Sequence, residues 1–164
     1  MLSPKIQDAF NKQINAELYS SYLYLSMAAY FESQDLKGMA SWMRLQSGEE
    51  QRHAMKFFDF INDRSGRVTL ATIGGPPGEW KSPLEVFEES YKHEQKITGM
   101  INDLMNLVGA EKDGAGHDFL EWFAREQVEE EAAVQLIVSQ LKLAGDSGLG
   151  RYLLDRQLGE RKAE

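Results

Sequence analysis

Nothing restricts the fold of this chain more than its longest connection. Seventeen residues, Ser65 to Lys81, carry Gly74-Gly75-Pro76-Pro77-Gly78 and separate two pairs of helix signals. On either side, apolar residues recur at three- and four-residue spacing, the period of an amphipathic helix. Within each pair the connection is short, about three residues in the first and about six in the second, so each pair must be an antiparallel hairpin. A helix of about 28 residues is about 42 Å long. Seventeen extended residues reach about 56 Å. The segment can therefore run the whole length of a bundle. The pattern predicts an all-α chain: a four-helix bundle of two antiparallel hairpins joined by a long crossover, with a short fifth C-terminal helix.

The helix ends are written locally. Ser3-Pro4 and Ser82-Pro83 pair a capping serine with proline at the first helical position. Asp35 is a candidate cap for a second helix that runs to about Arg64 and stops at Gly66, a candidate left-handed residue. Gly109 should stop the third helix, and Asp113-Gly114-Ala115-Gly116 should form a turn. The fourth helix should stop at Gly145, and the fifth, capped by Asp146 or Ser147, should run to about Arg161. In the crossover, Arg67-Val-Thr-Leu-Ala-Thr-Ile73 reads as an apolar, strand-like stretch.

Four glutamates, Glu17, Glu50, Glu94 and Glu130, fall on four different helices, each within about two residues of its helix midpoint at uniform helical rise. Antiparallel helices share a midplane whichever way each runs, so the four carboxylates converge at one level. His53 is one turn from Glu50 and joins it there. Burying several like charges together costs several kcal/mol per ion, and a divalent cation relieves that cost directly. Carboxylates with one imidazole suit iron or manganese.

The balance of the chain agrees. Its 164 residues suit a single domain, and 42% are hydrophobic, enough for one core. The formal charge of −8 argues against nucleic acid as a partner and favours cations. There are no cysteines, which excludes thiolate sites and disulfides. No secretory leader and no run of about 18 apolar residues is present. The expectation is a cytoplasmic protein that neither crosses a membrane nor binds one.

The segments Gln13-Ile-Asn-Ala-Glu17-Leu-Tyr-Ser-Ser-Tyr-Leu-Tyr24, Glu49-Glu50-Gln-Arg-His53-Ala, His93-Glu94 and Glu126-Gln-Val-Glu-Glu-Glu131 resemble the ferritin family over essentially the whole chain, nearest its bacterial and archaeal non-haem branch. The resemblance implies one ferritin-like di-iron domain, residues 1–164, with ferroxidase activity: Fe(II) is oxidised by dioxygen, or by hydrogen peroxide, and stored as ferric mineral in a homo-oligomeric cage of 24 subunits. It implies a first iron site of Glu17, Glu50 and His53. A second site takes Glu50 as bridge, with Glu94 and Glu130, and Gln127 beside it. A third, outer site maps to Glu49, Glu126 and Glu129, with Glu130 shared. Tyr24 matches a tyrosine that can hydrogen-bond to a ligand or donate an electron; a core aromatic with a satisfied hydroxyl is the equal alternative. Haem is not expected, because Gln51 stands where the haem-binding relatives carry methionine, and Glu130 stands where their second histidine would fall.

Other features are read more plainly. His93 points about 100° from Glu94 around its helix and reads as a surface residue. His117, near Asp118 and Glu121, stands between a role in iron entry and an exposed first turn. The methionines read as core filler, and Gly48 and Gly99 as sites of close helix packing. The apolar crossover and the last helix, with Leu149, Tyr152, Leu153 and Leu158, have no evident place within one subunit and should meet symmetry mates.

Overall fold

The computed structural model describes residues 1–163. It has five helices in the order α1 (Pro4–Ser33), α2 (Lys37–Asp63), α3 (Pro83–Ala110), α4 (Gly114–Ala144) and α5 (Gly148–Leu158), and no strand among the described residues. α1 packs on α2 and α3 on α4, α1 and α3 join the two hairpins, and α5 lies against α2 and α4.

The serine–proline starts behave as local chemistry dictates. Ser3 Oγ accepts from Ile6 N at 3.3 Å, and Ser82 Oγ accepts from Glu85 N at 3.1 Å. Elsewhere the ends differ from expectation. Asp35 does not cap α2: it adopts φ 57°, and Leu36 precedes the helix with no side-chain cap. After α2 the left-handed residue is Ser65, not Gly66. Gly66 answers a steric demand instead, because a Cβ there would meet Ile61 Cγ2 at 2.9 Å and Gln7 Oε1 at 3.0 Å. Gly109 does not stop α3, which runs on to Ala110; the turn is made by left-handed Lys112. Asp113 is the cap of α4, so Gly114, Ala115 and Gly116 are helical rather than a turn. Ser147 caps α5, which ends at Leu158.

The crossover is extended but pairs with α1, not with another strand. Gln7, Asn11 and Asn15 are one helical turn apart in succession. Gln7 Oε1 accepts from Arg67 N (2.8 Å). Asn11 donates to Arg67 O (3.0 Å) and accepts from Thr69 N (2.8 Å). Asn15 donates to Ala71 O (3.3 Å) and Thr72 O (3.1 Å). The match is metrical: four helical residues rise about 6 Å, and two extended residues advance about 6.6 Å. Val68 packs against the core, while Leu70 is 69% exposed.

α5 is half at home in its own subunit. Leu154 and Leu158 are buried in the core, and Asp155 Oδ1 accepts from Met39 N (2.8 Å) at the start of α2. Gly38 is obligatory for this approach, since a Cβ would sit 1.7 Å from Asp155 O. Leu149, Tyr152 and Leu153 remain exposed.

The apolar interior is divided in two. One cluster includes Leu23, Tyr24, Met27, Met43, Phe87 and Val134; the other includes Ile14, Ala54, Phe57, Ile97 and Phe123. On every long helix of the bundle the glutamate singled out above falls between the two clusters. Glu17, Glu50, Glu94 and Glu130 thus form a polar layer across the middle of the core. Met27, Met39 and Met43 are fully buried filler. Gly48 and Gly99 are not close-packing sites: a Cβ at Gly99 would touch nothing within 4 Å, and one at Gly48 only the far end of Arg52, at 3.7 Å.

Candidate metal centre

The polar layer brings together the residues expected to converge. Glu17, Glu50, Glu94, Glu130, His53 and Gln127 are all buried. Ligand atoms of Glu17, Glu50 and His53 lie within 4.8 Å of one another, and so do those of Glu50, Glu94 and Glu130, so the two triads share Glu50. A third group within the same span joins His53 to Glu126 and Glu130. His53 Nδ1 is 3.3 Å from Glu50 Oε2, and its ring is wedged edge-on against Trp122 and Phe123 (centroids 5.5 and 5.9 Å).

Each carboxylate is aimed by an amide or hydroxyl donor. Gln13 Nε2 donates to Glu17 Oε1 at 2.8 Å. Gln46 Nε2 donates to Glu50 Oε1 (3.1 Å) and Glu130 Oε2 (2.6 Å). Gln127 Nε2 donates to Glu94 Oε2 (3.1 Å), and the Tyr24 hydroxyl donates to Glu94 Oε1. Sequence reasoning missed Gln13 and Gln46, although both stand four residues before a buried glutamate, the spacing that puts two side chains on one helix face.

These donors do not neutralise the cluster. Burial, with Glu50 next to it, raises the Glu17 pKa well above the usual carboxylate range. Burial and then Glu94 and Glu130 do the same to Glu50. Burial raises Glu94 against the lowering effect of Tyr24 and Gln127. Burial and Glu94 push Glu130 up to about 8. Tyr24 is raised by burial and by Glu94, so it stays a phenol. Glu17 Oε2 is the one buried side-chain polar atom without a hydrogen-bond partner among the described residues. An orphaned carboxylate oxygen in a triad with Glu50 and His53 fits a cation, which needs no proton to satisfy it.

The outer group is more open. Glu49 is buried, Glu126 half-buried and Glu129 exposed. They line one pocket with Trp42, Gln46, Glu130, Ala133 and Arg161. His93, expected at the surface, is half-buried: Nε2 is 2.7 Å from Ser20 Oγ, and the ring lies between Tyr19 and Tyr24. Burial, with Lys96 nearby, lowers its pKa to about 4, so it is neutral. His117 stands exposed in the first turns of α4, 3.4 Å from Glu121.

A bundle with a carboxylate and histidine centre between its long helices defines a class, the ferritin-like helical-bundle proteins. The Ferritin-like domain family matches residues 7–144. The bacterial non-heme ferritin of Bacteroides fragilis (strain 638R) is 47% identical over 161 residues, covering 98% of this chain and all of that protein. The bacterial non-heme ferritin of Escherichia coli O6:H1 is 39% identical over 158 residues, covering 96% of each. Among solved structures, an engineered closed form of Archaeoglobus fulgidus ferritin superposes with a TM-score of 0.99 at 49% identity, covering both chains fully. The open-pore ferritin of that archaeon superposes at 0.98 and 49% identity, with 99% of both chains covered. The chain belongs to the ferritin family and is similar throughout its length to non-haem ferritins.

Proposed function

We propose that this chain, as a single domain over residues 1–164, is the subunit of a cytoplasmic iron-storage assembly and a ferroxidase without haem. The observation that carries this reading is the pair of buried triads sharing Glu50, with Oε2 of Glu17, a member of the first triad, left without a hydrogen-bond partner.

Fe(II) is the substrate. Glu17, Glu50 and His53 hold one ion; Glu50, Glu94 and Glu130 hold the other, and Gln127 orients Glu94. Two ions at neighbouring positions can pass one electron each to the same dioxygen. With two protons, dioxygen leaves as hydrogen peroxide and both irons are ferric. Carboxylates favour that product, because anionic oxygen ligands stabilise the higher charge. The protein contributes positioning and charge rather than redox chemistry. The raised carboxylate pKa values mean that the empty centre carries protons, which ion binding expels. Tyr24 holds Glu94 through its hydroxyl. Glu49, Glu126, Glu129 and Glu130 form an outer iron site. Ferric product moves from there to mineral inside a shell of 24 copies.

Fe(II) titration with an oxygen electrode, followed by electron microscopy, tests the reading. It predicts oxygen uptake saturating in proportion to subunits, then electron-dense cores inside closed shells. Uptake no faster than Fe(II) in buffer would overturn the ferroxidase, and the absence of cores would overturn storage.

A further inference from the structure

The outer carboxylate pocket already contains a cation of the chain's own. Arg161, in the segment that follows α5, extends along α2 and meets three residues of one helical face. Its guanidinium lies 4.5 Å from the Trp42 ring centroid. Its Nη1 donates to Gln46 Oε1 at 2.9 Å, and its Nη2 donates to Glu49 Oε2 at 2.6 Å. Positions 42, 46 and 49 follow the helical repeat, so the contact is a fitted one along its whole length. The Arg161 side chain is 23% exposed and that of Glu49 only 10%. Arg52, the other arginine near Glu49, is 3.7 Å away and half exposed.

We propose that Arg161 is an internal competitor for the outer iron site: its guanidinium holds Glu49 until an incoming cation displaces it, and in the resting protein it aims the Gln46 amide at Glu50 and Glu130. The proposal rests on reading Glu49, Glu126, Glu129 and Glu130 as an outer iron site. Two arguments carry it. A guanidinium cannot shed its charge in a protein, so it cannot make room by titrating; it must move, or the cation must stay out. An amide has a carbonyl end and an NH2 end. With Gln46 Oε1 taken by Arg161, Nε2 is left to face Glu50 and Glu130. Arg161 is thus a positioning residue for the shared glutamate as well as a placeholder. The guanidinium can leave without undocking α5, which stays held through Leu154, Leu158 and Asp155.

The test is calorimetric titration of the metal-free assembled protein with Zn(II), a redox-inert probe, in the wild type, Arg161→Gln, Arg161→Lys and Glu129→Ala. The outer ion is the binding event missing in Glu129→Ala. Loss of a charge-assisted competitor should tighten that event in Arg161→Gln by roughly tenfold or more. Arg161→Lys, which keeps the charge, should stay close to wild type. Crystals of Zn(II)-saturated wild type should show the guanidinium off Glu49. Equal affinities in Arg161→Gln and wild type, or an ion and guanidinium together on Glu49, would overturn the competition and leave the outer site standing. Absence of an outer ion from all four proteins would overturn the site and the proposal together.

Discussion

Gln13 engages one oxygen of Glu17 and leaves the other bare: Nε2 donates to Oε1 at 2.8 Å, while Oε2 has no hydrogen-bond partner. The Glu17 carboxyl is therefore only half satisfied by its protein neighbours. Replacing Glu17 with Gln keeps the contact from Gln13 but removes the ionisable carboxyl, whose pKa burial and Glu50 raise. Guanidinium chloride unfolding of the metal-free protein should show Glu17→Gln more stable than wild type by about 1–3 kcal/mol, the cost of an unsatisfied buried polar atom. Zn(II) affinity should fall in the same variant. A less stable variant would mean that the orphan oxygen is not a liability.

The raised carboxylates make a second expectation, with its sign. Glu130 titrates near 8 in the folded protein, against about 4.3 for a free glutamate. Between those values the folded chain holds a proton that the unfolded chain has released, so stability is full below about pH 4 and falls as pH rises through 8. Glu17, Glu50 and Glu94 shift the same way. Denaturation of the metal-free protein at pH 5 and pH 8 should therefore favour pH 5. Zn(II) binding at pH 7 should release protons, visible as a dependence of calorimetric heat on the buffer's ionisation enthalpy. Heat independent of buffer would contradict the protonated resting layer.

Ligand variants should separate the inner centre from the outer group. Glu50→Ala removes the carboxylate common to both triads, and His53→Ala removes the one imidazole in them. Each should slow the first turnover in stopped-flow absorbance by at least about a hundredfold, or ~2.7 kcal/mol. Glu129→Ala, at an exposed position, should leave that first turnover near wild type and alter only later ones. Loss of the first turnover in Glu129→Ala would show that the two groups are not separable.

Exposed apolar residues carry the expectation for assembly. Leu70 is 69% exposed on the crossover, and Leu149 and Leu153 are 68% and 56% exposed on α5. Leu70→Glu should favour smaller species, and Leu153→Glu should weaken the shell without unfolding the subunit, whose α5 is still held by Leu154 and Leu158. Analytical ultracentrifugation reads both. Wild-type protein sedimenting as a monomer or dimer at micromolar concentration would refute the shell.

The architecture was legible because it rests on lengths and periods. Two short connections and one long one leave little choice of bundle, and the midpoint argument needs only the uniform rise of a helix. The convergence of the four buried glutamates was legible because glutamate at a core position is rare enough to be informative. What was not legible depends on who the neighbours are. The angle of His93 away from Glu94 was a fair inference, but the face it points to is covered by Tyr19, Ser20 and Tyr24 of α1. Asp35 and Gly66 looked like a cap and a left-handed stop; α2 starts with no side-chain cap, Ser65 takes the left-handed conformation, and Gly66 sits too close to Ile61 and Gln7 for a side chain. Arg161 carried no signal at all, because its partners lie more than a hundred positions away.

The way α1 grips the crossover has a consequence for how such a chain can vary. Gln7, Asn11 and Asn15 bind the backbone of residues 67–72, whose own side chains take no part in those bonds. The path of the segment is thus encoded in a helix some sixty residues upstream, while its outward side chains are free to be rewritten. Mutational drift among them can leave the path of the segment unchanged. Drift at three amide positions of α1 cannot, and a single Asn11→Leu change would remove two of the five bonds that hold a segment in which no residue had altered.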